Sequence, residues 1–99
     1  MIIHENILGA IGNTPMIRLN KVAADFPCPV LAKVEYFNPG HSVKDRMALH
    51  ILEQAHASGR LKPGDLIVEA SSGNSGISFA AMGRALGHPV CRRVLSASV

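Results

Sequence analysis

The chain has 99 residues, of which 47% are hydrophobic, and a formal charge of +3, which suits one small domain and is too little for two. Its basic residues are scattered, and with no tryptophan and 4% aromatic residues the chain lacks the pattern of a nucleic-acid surface. Cys28 and Cys91 have no metal-ligand neighbours, so neither a disulfide framework nor a zinc site is expected, and a reducing cytoplasm is favoured. We expect no signal peptide, because residues 1–6 have no basic n-region and no long apolar core. No membrane span is expected, because no stretch approaches ~18 consecutive apolar residues.

The first forty residues predict a β-hairpin with a long connection. Residues 6–12 suit a short helix or turn, and strands are expected over 16–20 and 30–36, with the proline-containing segment 21–29 as the loop between them. Alternation in the second strand predicts that one face carries Val30, Ala32, Val34 and Tyr36.

A helix is predicted over 43–58, where the hydrophobic spacing changes to the helical period. The expected apolar stripe has one row of Met47, Ile51 and Ala55, with Ala48 and Leu52 beside it. Gly59 is a natural stop for this helix. His50 and His56 lack ligand-type partners at helical spacing, so we expect them to be solvent-facing or packed.

The remainder of the chain predicts a parallel βαβ unit. Residues 66–70 form a nearly continuous apolar strand, typical of a sheet covered on both faces. A helix over 77–86 follows, Gly87 ends it, and a further strand starts at Val90 with Arg92 and Arg93 inside it. The fold class is therefore α/β, a right-handed parallel βαβ unit preceded by an amino-terminal hairpin. We divide the chain into 1–40, the amino-terminal segment and hairpin, and 41–99, an incomplete α/β domain.

One lysine lies at the junction between the hairpin and the first helix. Ser42 followed by Asp45 predicts an N-cap and an acidic variant of the capping box. Lys44 then lies in the first turn, where the positive end of the macrodipole disfavours a second cation. Such a position suits a nucleophilic amine, which reacts in its neutral form. The alternative is a surface lysine paired with Asp45 or Glu35.

A second junction, the loop 71–76, joins a buried strand to a helix N-terminus through small residues. Free backbone N–H groups and the helix dipole make such a loop attractive to anions, and open α/β sheets bind ligands at this edge. The loop matches neither a Walker A motif nor G-x-G-x-x-G, and an ordinary tight turn is the alternative. Asn74 could direct an amide into a cleft. An amine able to form a Schiff base beside a carboxylate-binding loop suggests amino-acid chemistry with an aldehyde cofactor.

Several motifs in a fixed order resemble the amino-terminal part of the cysteine synthase and cystathionine β-synthase family. They are Ile-Gly-Asn-Thr-Pro at 11–15, Ala-Lys-Val-Glu at 32–35, Asn-Pro-Gly-His-Ser-Val-Lys-Asp-Arg at 38–46, Lys-Pro-Gly-Asp at 62–65 and Glu-Ala-Ser-Ser-Gly-Asn-Ser-Gly at 69–76. The resemblance runs from about residue 7 to residue 90. It implies part of a fold-type II enzyme that uses pyridoxal 5′-phosphate, in which 41–99 is the smaller, cofactor-facing domain.

The resemblance also implies residue roles. Lys44 would carry the cofactor as a Schiff base and act as acid and base at the substrate α-carbon, and Asn74 would hydrogen-bond the cofactor's phenolic oxygen. The amino-acid carboxylate would be bound by Ser71, Ser72, Gly73 and Ser75. Asp45 and Arg46 would hold the helix start.

The implied reaction is β-replacement on a serine-type substrate, with a small nucleophile such as sulfide, giving cysteine. Synthesis of cystathionine or of a diaminopropionate-type product stays open, because regions that select the nucleophile have no counterpart here. The resemblance further implies that the parent enzyme is a cytoplasmic transferase or lyase, and that this full-length enzyme is a homodimer. The resemblance does not extend to the loop that binds the cofactor phosphate in this family. The alternative is therefore that the chain is an inactive remnant or an interaction module.

The chain departs from the family pattern in the two loops. His41 stands where a second glycine is usual and is expected to add bulk beside Lys44. Ser71 and Ser75 stand where threonine is commoner, and they retain the hydroxyl groups.

Overall fold

The computed structural model describes residues 1–71 and 73–94, with the backbone alone at 92 and 94. In chain order the elements are a 3₁₀ helix Ile7–Ala10, β1 Met16–Arg18, β2 Leu31–Lys33, a 3₁₀ helix Glu35–Phe37, α1 Lys44–Ala57, β3 Ile67–Ser71, α2 Asn74–Ala85 and β4 Val90–Val94. Ser72 and the predicted continuation of the last strand beyond residue 94 lie outside the described residues.

The amino-terminal hairpin is confirmed. Strands β1 and β2 are antiparallel, and Met16 lies opposite Lys33. The second strand ends earlier than predicted, because the Asn38 side-chain amide donates to the Glu35 carbonyl at 2.8 Å and closes a 3₁₀ turn over Glu35–Phe37. Tyr36 therefore does not continue the face of β2; it is exposed, and its ring stacks on Phe37.

The parallel βαβ unit is also confirmed. Strand β3 pairs in parallel with β4, with Ile67 opposite Val90, and α2 forms the connection between them. Gly83 of α2 faces the sheet, where a Cβ atom would collide with the side chains of Val90 and Ile67. The absence of a side chain at Gly83 thus lets α2 lie close to the sheet.

The prediction that β3 is covered on both faces is wrong for the described chain. Ile67, Glu69 and Ser71 are half-buried, whereas Val68 is 63% exposed and Ala70 is exposed. Helix α2 covers one face, and no described element covers the other. The apolar run correctly indicates a strand, but it does not indicate burial of both faces.

The hydrophobic core lies between the two helices. It consists of Ala48 and Leu52 from α1 and Phe79 and Met82 from α2, all buried. The predicted row of Met47, Ile51 and Ala55 is displaced to the edge of this contact, and Ile51 is 45% exposed. Helix α2 packs against the row of Ala48 and Leu52, so this narrower row takes the centre of the contact.

Both helix starts differ from the predicted ones. At α1 the N-cap is Val43, although the Ser42 hydroxyl still accepts the Lys44 N–H at 3.2 Å. The capping-box prediction is wrong, because the Asp45 carboxylate accepts from the Gly40 amide instead. Helix α2 starts at Asn74, three residues before the predicted start, because the Ser71 hydroxyl accepts the Gly76 N–H at 2.8 Å and closes the first turn.

Two side-chain contacts show the relative direction of α1 and α2. Near their starts, Ser78 of α2 donates to Asp45 of α1 at 2.6 Å. Near their ends, the ring nitrogens of His56 in α1 and His88 after α2 are 2.8 Å apart. The helices therefore run in the same direction, and the positive ends of both macrodipoles lie at the same end of the pair.

Candidate functional site

Lys44 is the first residue of α1, and its side chain is exposed. Neither of the two carboxylates that could have paired with it does so. Asp45 is fully buried and bonds to Gly40 and Ser78, while Glu35 pairs with Lys33 and Arg46. Within residues 1–71 and 73–94, no ion pair involves the Lys44 ammonium. Lys44 is thus a surface lysine, but the pairing with Asp45 or Glu35 that the alternative required is not found, and its amine is exposed.

Asp45 joins the lysine-bearing loop to α2. One carboxylate oxygen accepts the Gly40 N–H at 2.5 Å, and the other accepts the Ser78 hydroxyl at 2.6 Å. A Cβ atom at Gly40 would collide with the Asp45 carboxylate, so glycine is required for this approach. Because a buried carboxylate must be fully hydrogen-bonded, these bonds fix the turn before Lys44 against the first half of α2.

Arg46 holds the other side of the same turn. Its Nε donates to Glu35 at 2.8 Å, and its Nη2 donates to Thr14 at 2.7 Å. The Arg46 hydrogen bond, followed by that of Thr14, lowers the pKa of Glu35 from 4.5 to about 2. Asn38 is buried beside this group and accepts the Gly12 N–H at 3.0 Å. The hairpin, its preceding loop and the start of α1 are thus tied together.

The loop after β3 places its small residues at the start of α2. Ser71 ends the strand, and its hydroxyl caps the helix while its own hydrogen stays able to donate. A Cβ atom at Gly73 would meet nothing within 4 Å, so there is open space beside this backbone. Asn74 is exposed at the first helical position, and Ser75 is half-buried.

The structure thus brings the two predicted stretches to one end of the α1–α2 pair. Lys44 precedes Asp45 by one residue, Asn74 precedes Ser78 by one helical turn, and the Asp45–Ser78 bond joins them. An amine, an amide and two positive helix ends therefore lie at the same end of the pair, an arrangement that suits a ligand carrying a carbonyl group and an anion.

Ser78 is the site-supporting residue that sequence reasoning missed. The pattern that could have indicated it is a small polar residue beside the apolar Phe79 in the middle of a helix. A buried hydroxyl at such a position needs a hydrogen-bond partner. Within the described residues no group of three or more His, Cys, Asp or Glu side chains is placed to hold a metal. In the same part of the chain no helix is long and apolar enough to cross a membrane.

A cavity of about 270 Å³ lies in the hairpin connection and involves none of the candidate site residues. Its lining includes Arg18, Leu19, Asn20, Ala23, Phe26 and Cys28.

Comparison with known proteins gives the family. Residues 7–98 match the family model described as pyridoxal-phosphate dependent enzyme. The chain therefore belongs to this family, whose cofactor is pyridoxal phosphate.

Particular relatives are similar over most of the chain. It is 46% identical over 86 residues to cysteine synthase 1 of Neurospora crassa and 54% identical over 77 residues to cystathionine beta-synthase of Mus musculus. Among solved structures, O-ureido-L-serine synthase matches with a TM-score of 0.87 and 47% identity over 92% of the chain. The matches cover 87% and 76% of this chain for the two relatives but only 23% and 14% of theirs, and 28% of the solved chain.

Proposed function

We propose that this chain is an amino-terminal portion of an enzyme of pyridoxal-phosphate-dependent β-replacement, acting on a serine-type amino acid to give cysteine. The Asp45–Ser78 bond carries the proposal, because it joins the start of the helix that bears Lys44 to the helix that bears Asn74. The relatives include a cysteine synthase, a cystathionine beta-synthase and an O-ureido-L-serine synthase, which supports chemistry on a serine skeleton. Sulfide is the nucleophile that we favour, and cystathionine or diaminopropionate-type synthesis is the alternative within the family.

The residues present fit the cofactor in two respects. Lys44 offers an exposed amine that no described carboxylate neutralises, and the backbone at Gly73 borders open space at the amino end of α2. When bound, pyridoxal phosphate supplies an electron sink for the bonds at the α-carbon of an amino acid.

Each residue of the site has a proposed task. The Lys44 Nζ would hold the cofactor's aldehyde carbon and then take and return a proton at the substrate α-carbon. The Asn74 amide would donate a hydrogen bond to the cofactor's phenolic oxygen. The substrate carboxylate would be bound at the start of α2 by the loop residues Ser71, Ser72, Gly73 and Ser75, which would also exclude water from the reacting atoms.

The test is to trap the amine that reacts. The chain is mixed with pyridoxal phosphate, reduced with borohydride, digested and analysed by mass spectrometry. We expect weak visible absorbance from the chain alone, with trapped label concentrated on Lys44 rather than on the lysines at 21, 33 and 62. Lys44→Ala should abolish this selective label, and Lys62→Ala, at an exposed turn position, should retain it.

Equal labelling of all lysines would contradict the proposal. That result would favour the second candidate, a catalytically inactive interaction module or remnant. The observation in favour of this candidate is the open apolar face of β3, with Val68 63% exposed, in a chain that spans 23% of a cysteine synthase relative. Homodimerisation of the parent enzyme remains part of the proposal and is tested by sedimentation of the longer protein.

A further inference from the structure

Two histidines connect the far ends of the helices, away from the candidate site. His88 is fully buried, and its backbone N–H donates to the Gly83 carbonyl at 2.9 Å. The His88 Nδ1 lies 2.9 Å from the Asp65 carbonyl oxygen, and its Nε2 lies 2.8 Å from the Nε2 of His56. His56 is in the last turn of α1 and is exposed. The contact thus joins α1, the turn before β3 and the turn before β4.

The partners determine where the protons lie. A carbonyl oxygen only accepts, so the Nδ1 of His88 carries a hydrogen and donates it to Asp65. In neutral His88 the Nε2 is then an acceptor, and His56 must donate to it from its own Nε2. One additional proton on the outer nitrogen of His56 leaves this bond in place, because the Nε2 of His56 still donates. A second additional proton would set two N–H groups against each other.

We propose that His56 and His88 form a pH-sensitive clasp between the ends of α1 and α2. The clasp is closed while the pair holds no more than one additional proton, and it opens when both rings are charged. Opening exposes the buried His88 ring and releases the end of α1 from the turns before β3 and β4. The clasp does not depend on the proposed catalytic function.

No charged group on the adjoining segments forms an ion pair with the two histidines among the described residues. Titratable or charged side chains lie near the end of α1, in the connection after it, in β3 and in α2. They are His50, Glu53, Arg60, Lys62, Asp65, Glu69 and Arg84. In the described part of the chain none of them forms an ion pair with either imidazole. The Asp65 carboxylate accepts the Lys62 N–H at 2.8 Å and keeps that turn closed.

The direct test is nitrogen-15 NMR of the histidine rings in the full chain. At about pH 8 we expect a scalar coupling between the two Nε2 atoms across the hydrogen bond, with the Nδ1 of His88 protonated. On acidification, the coupling should be lost when the ring-nitrogen shifts show that both rings are charged. No coupling at about pH 8, or a coupling that persists with both rings charged, would overturn the proposal.

A matched pair of variants tests the effect on stability. Between about pH 8 and about pH 5, a range in which histidines titrate, the urea midpoint of the parent chain should fall further than that of His56→Ala. His50→Ala should retain the fall of the parent, because His50 is exposed on the same helix and its side chain forms no hydrogen bond within the described residues. Equal falls in the parent and in His56→Ala would also overturn the clasp.

Discussion

His41 shows how one residue departs from the pattern that its neighbours follow. The sequence comparison with the family led us to expect added bulk beside Lys44, but the structure gives a different reason to notice this residue. His41 has a φ of 67°, in the left-handed region, and its side chain is exposed. Its N–H donates to the Asn38 carbonyl at 2.8 Å and closes the turn over 38–41. A glycine would adopt it without the steric cost that a Cβ atom brings.

His41→Gly should therefore stabilise the chain by about 0.5–1 kcal/mol, as relief of left-handed strain exceeds the added entropy of the unfolded chain. Urea unfolding measures the change. The control is His50→Gly, in the interior of α1, which should destabilise the chain by about 0.5 kcal/mol because glycine is a poorer helix former than histidine. A loss of stability at position 41 equal to that at position 50 would contradict the strain argument.

The lowered pKa of Glu35 predicts how the stability of the chain depends on pH. Hydrogen bonds from Arg46 and Thr14 lower its pKa from 4.5 to about 2. Because the folded-state pKa lies below the unfolded one, the contribution of Glu35 is complete above about pH 4.5 and is lost as the pH falls towards 2. Glu35→Gln should remove that part of the acid sensitivity, measured by urea unfolding across this range. Glu5→Gln, at an exposed position near the amino terminus, should leave it unchanged.

Consecutive residues at the start of α1 point in different directions because helical residues are about 100° apart. Lys44 is directed to solvent, Asp45 to α2 and Arg46 to the hairpin segment. The first turn of α1 thus contacts both the hairpin segment and α2, and it leaves the Lys44 amine accessible. The sequence predicted that Asp45 and Arg46 hold the helix start, but it placed Asp45 in a local cap rather than in a contact 33 residues away.

Ser78→Ala tests this connection between the helices. Losing a hydrogen bond to a buried carboxylate should cost about 1.5–3 kcal/mol of the free energy of unfolding. Amide hydrogen exchange should also quicken at Gly40, because the Asp45 carboxylate that holds its N–H loses its second partner. Ser58→Ala, at an exposed serine after α1, should change the free energy by less than about 0.5 kcal/mol. Equal effects of the two variants would contradict the role assigned to Ser78.

The whole molecule is broad and thin, with extents of 53 × 47 × 22 Å and a radius of gyration of 17.1 Å, against about 13 Å for a compact domain of this size. Such a shape fits a chain that matches between 14% and 28% of the length of its relatives. Hydrophobic residues along both strands of the hairpin remain exposed, among them Met16, Ile17 and Leu31.

Local signals in the sequence were enough to predict the hairpin, the βαβ unit and both helices, because each depends on a periodic pattern or a Gly or Pro stop. They failed where a particular side-chain hydrogen bond or a packing partner decides the outcome. The early end of β2 depends on Asn38, the early start of α2 on the Ser71 cap, and the central row of α1 on where α2 packs. For the site, the sequence identified Lys44 and the loop 71–76, and it could not identify the Asp45–Ser78 bond that joins them, because spacing along the chain says nothing about contacts between helices.

If Lys44 and the start of α2 form one site, a single ligand should contact both. NMR of the chain during titration with pyridoxal phosphate tests this most directly. We expect the Asn74 side-chain amide and the backbone amides of 73–76 to shift together with Lys44, and these shifts to vanish in Lys44→Ala. Reaction at Lys44 with no change at 73–76 would show that the two stretches do not share a ligand and would contradict a single site.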